Sequence, residues 1–109
     1  MSQPLTSQHC VPCEGGTLPL TPEATKILLP QVPGWELSEN TRSIRHHFVF
    51  KDFKESMRFI NRVAELAEAE GHHPDIHCFW NKVTLELSTH AIKGLSSNDF
   101  IVAAKINTL

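Results

Sequence analysis

The chain has 109 residues, of which 40% are hydrophobic and 20% are charged. This size and composition predict one globular domain. The formal net charge is −2, whereas proteins that bind nucleic acids directly usually carry a clustered basic surface. We therefore expect no nucleic-acid partner. No apolar run approaches the roughly 18 residues of a membrane span, and the N-terminus lacks a basic-then-apolar leader pattern. We therefore expect a soluble, cytoplasmic protein with no membrane partner.

The first part of the chain is predicted to be an arm in front of the domain. Residues 1–19 are polar, contain three prolines and have no hydrophobic periodicity, which predicts an extended or mobile segment. Residues 20–109 are expected to form the single domain. Thr21-Pro22-Glu23 predicts a helix start, with a hydroxyl N-cap, proline at the first helical position and an acid in the first turn. Pro30 ends this short helix, whose apolar stripe is Ala24, Ile27 and Leu28.

The arm contains residues of the types that bind metal ions. His9, Cys10 and Cys13 lie close together in it, and two thiols at this spacing supply half of a structural zinc site. The other half would have to come from His9 and Cys78 or from a second chain. Three cysteines in a chain without a secretory pattern favour reduced, unligated thiols.

Two strands and a long helix follow. Residues 34–37 and 43–51 have the composition and alternation of strands. A helix is predicted from Phe53 to Glu70, with Asp52 as its N-cap and Gly71 as its stop. Its apolar residues recur at helical spacing and predict one face that packs on a sheet. That face is formed by Phe53, Met57, Ile60, Val63 and Ala67.

A β-hairpin is predicted next. Residues 76–80 and 83–89 have strand composition and are separated by Asn81-Lys82 alone, which indicates a two-residue turn. In that register one face of the hairpin is apolar and contains Ile76, Cys78, Trp80, Val83, Leu85 and Leu87. Extending the pairing places His73 opposite His90, beside the end of the long helix.

The order of elements predicts the fold class. A last helix is expected to begin at Ser96, where Ser96 and Asp99 form a capping box. The order α-β-β-α-β-β-α is typical of an α+β fold, a four-stranded antiparallel sheet with helices packed on one face. Because the core is small and the sheet has open edges, a homodimer or homotetramer is expected.

The histidines are the residues with the clearest chemical potential. His72 and His73 follow Glu68 at the helix end, and His90 and Asp99 come later in the chain. Imidazole is the side chain whose ordinary pKa lies near neutral pH. With no cysteine placed as a nucleophile and no glycine-rich phosphate loop, the cluster favours proton transfer, with no cofactor and no metal.

These residues resemble a known family. The spacing of Glu68, His72-His73-Pro74, Trp80, His90 and Asp99, supported by Gly34-Trp35, resembles the pterin-4a-carbinolamine dehydratases, also described as dimerisation cofactors of a homeodomain transcription factor. The resemblance runs from about Leu20 to the C-terminus.

The resemblance implies a reaction and a set of site residues. The substrate would be 4a-hydroxytetrahydrobiopterin, left when a pterin-dependent hydroxylase turns over, and the products quinonoid dihydropterin and water. His72 and His90 would transfer protons, and His73 would hold the pterin. The pocket would be lined or oriented by Glu68, Trp35 and Asp99. The family also implies dimers, and tetramers in some members.

Two alternatives stay open from the residues. His72, His73 and His90 would together offer a three-histidine metal site, although adjacent residues of a strand point to opposite faces. The chain would otherwise be a protein-binding module that caps a transcription-factor dimerisation helix. The outward face of the long helix fits an apolar helix partner poorly, because it carries Glu55, Arg58, Arg62, Glu65 and Glu68.

Overall fold

The structure is a computed structural model and describes residues 4–12 and 18–109. The helices and strands of these residues are α1 (Pro22–Leu28), β1 (Glu36–Leu37), β2 (Ile44–Val49), α2 (Phe53–Glu70), β3 (Asp75–Phe79), β4 (Lys82–Leu87) and α3 (Ser97–Ile106). Short 3-10 helices lie at Leu5–Ser7, Leu29–Gln31 and His90–Ile92. Within the described ranges, no helix is both long and apolar enough to cross a membrane.

The four strands form one antiparallel sheet in the order β1-β2-β4-β3. Its covered face holds Ile44, Leu85 and Leu87, which are fully buried in the same core cluster as Val63 of α2 and Phe100 of α3. The opposite face is more exposed, with residues such as His47, Val49 and Phe79 open to solvent. The α+β class, the order of elements and the antiparallel sheet are confirmed.

The predicted hairpin register was wrong by two residues. Cys78 pairs with Val83 and Phe79 with Lys82, so the turn residues are Trp80 and Asn81. Trp80 takes the left-handed region at φ 55°, where only a minority of non-glycine residues are found. Asn81 fixes the turn to the end of β2, since its carbonyl accepts the N–H of Phe50 at 2.8 Å and its Nδ2 donates to the Phe50 carbonyl at 3.1 Å.

The apolar face predicted for the hairpin holds for one strand only. On β4, Val83, Leu85 and Leu87 are fully buried. Every residue of β3 is exposed, because β3 is an edge strand. Trp80, predicted to share the buried face, is 61% exposed.

The helix ends follow their local sequence signals. Asp52 accepts a hydrogen bond from the N–H of Glu55 at 3.0 Å and begins α2, while Gly71 ends it in the left-handed conformation. On α1 the predicted stripe was partly wrong, since Ile27 is 68% exposed and Thr25 is buried instead. With only two turns, α1 carries too few apolar residues for periodicity to fix its buried face.

Part of the N-terminal arm packs on the domain. Leu5 is 6% exposed and belongs to the core cluster, and its 3-10 helix lies against α3. An extended or mobile segment was expected over residues 1–19. Among the described residues of that segment, residues 4–12 are attached to the domain by a buried leucine and by the hydrogen bonds described below.

Candidate active site

The end of α2 sets the direction of the first two histidines. Gly71 adopts φ 67°, a conformation that glycine reaches without steric cost. The N–H of His72 then bonds back to the carbonyl of Ala67 at 3.2 Å and closes the last turn. The chain leaves the helix at this point, so His72 and His73 stand at the junction between α2 and β3.

His72 is held by a buried carboxylate. Its Nε2 lies 2.6 Å from Oδ1 of Asp99, which is fully buried. Oδ2 of Asp99 accepts hydrogen bonds from the hydroxyl of Thr89 and the N–H of Ser96, both at 2.9 Å. The second of these bonds belongs to the capping box of α3, so one carboxylate caps the helix and orients the histidine.

This contact fixes the tautomer of His72. The oxygens of a carboxylate only accept hydrogen bonds, so Nε2 of His72 carries the proton and donates it to Oδ1 of Asp99. In the neutral ring the lone pair is therefore on Nδ1. Within residues 4–12 and 18–109, no protein group hydrogen-bonds Nδ1, which leaves it available to a ligand.

His73 is oriented from the opposite direction. Its Nε2 lies 2.7 Å from Oε1 of Glu68, one turn earlier on α2. Both side chains are largely exposed, 57% for His73 and 80% for Glu68. An exposed pair of this kind contributes little to stability, but it turns the ring towards the outer rim of the site.

His90 comes from the far end of β4. It begins the 3-10 helix His90–Ile92, and the loop around it is closed by a bridge between Thr89 and Gly94. Because Asp75 pairs with Glu86, continuing the observed register brings His73 opposite Ser88. His73 is therefore displaced by the same two residues from its predicted position opposite His90, where proximity and not a paired rung was expected because Pro74 interrupts the ladder.

One open cleft nevertheless contains all three histidines. It has a volume of about 590 Å³ and is lined by Cys10, Val11, Pro12, Glu70, Gly71, His72, His73, Ser88, Thr89, His90, Ala91 and Asn98. Asp99 lies behind His72, and Glu68 lies at the rim through its contact with His73. The structure thus brings together five of the six residues selected from the sequence.

Trp35 is the exception. It is 4% exposed and belongs to the core, where its ring meets His46 edge-on at 5.5 Å. Its Nε1–H donates to Oδ1 of Asn107 at 3.0 Å, beyond the C-terminus of α3. Trp35 does not line the cleft, so the structure gives it a packing role in place of the predicted contact with a ligand.

Sequence reasoning missed a polar cluster in the wall of the cleft, centred on Glu70. Glu70 accepts hydrogen bonds from Nζ of Lys105 at 2.7 Å and from the N–H of Cys10 at 2.9 Å, and His9 lies 3.2 Å away. The bond from Lys105 is the main reason that the pKa of Glu70 falls to about 2. The sequence did contain a sign of this cluster, because α2 ends in acidic residues. A negative charge at the C-terminus of a helix is unfavourable unless a cation lies nearby.

Glu70 should make stability depend on pH in the acid range. A folded-state pKa of about 2 against an ordinary 4.5 means that its contribution is complete above pH 4.5 and is lost as the pH falls towards 2. We expect Glu70 to account for a loss on the order of 2 kcal/mol in unfolding free energy over that range. Glu70→Gln, which lacks the titrating carboxyl group, should not show this part of the loss. Urea unfolding at several pH values measures it. Glu65→Gln, an exposed change on the same helix, should behave like the parent protein, and an unchanged pH slope in Glu70→Gln would contradict the assignment.

The thiol in the cleft is not set up as a metal ligand. Burial, followed by the charge of Glu70, raises the pKa of Cys10 to about 12, so with no cation bound beside it the thiol is protonated at neutral pH. Among the described residues, no three side chains of histidine, cysteine, aspartate or glutamate are placed to hold one metal ion. Cys13, the other thiol of the zinc hypothesis, lies outside the described residues.

Comparisons with known proteins identify the family. The family model described as Pterin 4 alpha carbinolamine dehydratase matches residues 18–109. A protein of Methylococcus capsulatus is 48% identical over 105 residues, covering 96% of this chain and 92% of the relative. A protein of Halorhodospira halophila is 45% identical, covering 96% of each chain. Both are named "Putative pterin-4-alpha-carbinolamine dehydratase".

A solved structure supports the same family. The crystal structure of a transcriptional coactivator/pterin dehydratase from Brucella melitensis matches with a TM-score of 0.79 and 31% identity, covering 83% of this chain and 96% of that one. The fold, the cleft and these matches define the class as a small α+β dehydratase, an enzyme of the hydro-lyase type. The chain belongs to the pterin-4-alpha-carbinolamine dehydratase family.

Proposed function

We propose that the protein dehydrates 4a-hydroxytetrahydrobiopterin to quinonoid dihydropterin and water, and so recycles the tetrahydrobiopterin cofactor of an aromatic amino acid hydroxylase. The observation that carries the proposal is the cleft of about 590 Å³ that His72, His73 and His90 share. Family membership supports the substrate class.

The chemistry needs two proton movements. The bond between C4a and its hydroxyl oxygen breaks as that oxygen gains a proton and leaves as water. The neighbouring N5 loses its proton, and the electron pair of that N–H bond forms the double bond between C4a and N5. A proton donor and a proton acceptor are therefore required at adjacent atoms of the substrate, and imidazoles serve both roles at neutral pH.

Within the proposal, His72 and His90 exchange these protons. The hydrogen bond from Nε2 of His72 to Asp99 at 2.6 Å supports Nδ1 as the atom that accepts the proton of the substrate. His90, on the exposed start of its 3-10 helix, is then the donor to the departing hydroxyl. Each positioned group contributes about 10²- to 10⁴-fold in rate.

His73 and the two carboxylates have supporting roles. His73, fixed by Glu68 at 2.7 Å, binds the pterin by hydrogen bonding through its free ring edge. Asp99 does not touch the substrate in this proposal, since it is fully buried behind His72. It acts as a positioning residue, and Glu68 does the same for His73.

The test is the decay of the carbinolamine in the presence of the protein. The carbinolamine absorbs in the ultraviolet and decays slowly unaided, so stopped-flow absorbance gives both rates. Micromolar protein is expected to accelerate the decay by orders of magnitude. A rate equal to the spontaneous one would overturn the proposal.

The protein is also proposed to form a homodimer or homotetramer. Phe79 and Trp80, at the tip of the hairpin, are 83% and 61% exposed, and β3 is an open sheet edge. The alternative of a module for a transcription-factor helix gains no support from α2. Its outward face is charged, and Arg58 there is paired with Glu55 at 2.7 Å.

A further inference from the structure

The N-terminal arm reaches the same cleft as the histidines. Cys10, Val11 and Pro12 line it together with His72, His73 and His90. The Val11 residue is 63% exposed, so its side chain is not used to fill the core. These three residues precede the domain in sequence, yet they form part of the cleft that the histidines line.

The arm is fixed to the elements that carry the site. The backbone of Val11 is held on both sides by Asn98, whose Oδ1 accepts the Val11 N–H at 3.0 Å and whose Nδ2 donates to the Val11 carbonyl at 2.6 Å. The N–H of Cys10 donates to Oε1 of Glu70 at 2.9 Å. Asn98 is the residue before Asp99, and Glu70 lies two residues before His72. The arm is therefore attached to residues next to those that hold the His72 ring, while the ring itself is held by Asp99.

The arm offers the ligand a neutral surface. Val11 and Pro12 are apolar, and Cys10 contributes a thiol that stays protonated because burial and Glu70 raise its pKa to about 12. The carboxylate of Glu70 is neutralised by Lys105 at 2.7 Å. Such a wall suits the flat, uncharged ring of a reduced pterin. It suits a phosphorylated ligand less well, because residues 10–12 contain no cationic side chain.

We propose that residues 10–12 form a substrate-binding wall of the cleft, which contacts the bound reduced pterin and sets its affinity without taking part in proton transfer. The inference rests on the proposed function for the identity of the ligand. It assigns to the arm a role in binding and leaves the chemical step to the histidines. Substitutions in the arm should therefore change KM and leave kcat nearly constant.

The test compares two valine-to-tryptophan changes. Val11→Trp places a bulky ring at the cleft, and Val49→Trp makes the same change at a valine that is 70% exposed on the open sheet face, away from the cleft. Val11→Trp is expected to raise KM by about tenfold or more, equivalent to about 1.4 kcal/mol of binding, with kcat within about twofold. Binding of 7,8-dihydrobiopterin, measured by calorimetry, should weaken by the same factor. Val49→Trp should match the parent protein in every value.

A second measurement leaves Val11 unchanged. In a Cys13→Ser/Cys78→Ser background, Cys10 is the one remaining thiol, and its reaction with a maleimide is followed by mass spectrometry at alkaline pH, where more of this thiol is ionised. Bound 7,8-dihydrobiopterin is expected to slow that reaction severalfold. An unchanged rate under saturating pterin, or unchanged KM and dihydrobiopterin affinity in Val11→Trp, would overturn the inference.

The outcomes separate this inference from the proposed function. If the parent protein binds dihydrobiopterin with Cys10 protected but does not accelerate carbinolamine decay, the wall is supported and the proposed reaction fails. If the protein is an active dehydratase whose Cys10 reacts equally fast with and without pterin, the reaction is supported and the wall fails.

Discussion

His72→Ala is expected to lower kcat for carbinolamine dehydration by about 10²- to 10⁴-fold, the usual contribution of one positioned proton-transfer group. His90→Ala is expected to lose a similar factor, because each ring serves one end of the same elimination. Stopped-flow absorbance at saturating substrate measures both. The protein should remain folded in each case, since His90 is exposed and, without the His72 ring, Asp99 keeps its hydrogen bonds from Thr89 and Ser96.

The matched control is another exposed histidine. His77→Ala removes an imidazole from β3, on the open face of the sheet and outside the cleft. Its kcat and KM are expected to equal those of the parent protein. Full activity in His72→Ala, with a native circular dichroism spectrum, would contradict the role given to this ring.

Asp99→Asn is expected to have the second-largest effect, through the tautomer of His72. The N–H of Ser96 and the hydroxyl of Thr89 both donate to Oδ2 of Asp99, so the amide oxygen of the introduced asparagine must occupy that position. The amide nitrogen then faces Nε2 of His72 and donates to it, which moves the ring proton to Nδ1. We expect kcat to fall by about 10²-fold or more, because the nitrogen facing the substrate no longer accepts a proton.

The two possible roles of Asp99 have different signatures. Asp99→Asn keeps the acceptor for the helix cap, so its thermal unfolding should stay within a few degrees of the parent. Asp99→Ala removes the acceptor for three donors and should cost about 3 kcal/mol. Nitrogen-15 NMR of the imidazole reports the tautomer directly. An asparagine variant that keeps the Nε2–H form and full activity would contradict the positioning role of Asp99.

Local signals in the sequence predicted the parts of the fold that depend on neighbouring residues. Asp52, Gly71 and the pair Ser96 and Asp99 marked helix ends, and each cap is present. The register of the hairpin could not be predicted in the same way. It depends on Trp80 adopting φ 55° and on Asn81 bonding to Phe50, and neither is visible in hydrophobic alternation.

In the site, too, local sequence features were predicted and contacts between distant residues were not. The histidines and Asp99 were selected by their spacing and by the family resemblance. The 2.6 Å contact between His72 and Asp99 joins residues 27 positions apart, which no periodicity argument reaches. Trp35 was misplaced because an aromatic residue beside a glycine gives no sign of whether its ring faces a pocket or the core. The ion pair of Glu70 with Lys105 spans 35 positions and brings in an arm that composition alone marks as unstructured.

The histidines themselves can report where the pterin binds. The chain has seven: His72, His73 and His90 line the cleft, His9 lies beside its wall residue Glu70, and His46, His47 and His77 lie outside it. Nitrogen-15 spectra of the imidazoles, recorded with and without 7,8-dihydrobiopterin, show which rings meet the pterin. If the cleft is the active site, we expect shifts for His72, His73 and His90 and none for the three outside. Shifts confined to His47 and His77, on the open sheet face, would place the pterin elsewhere and contradict the assignment of the cleft.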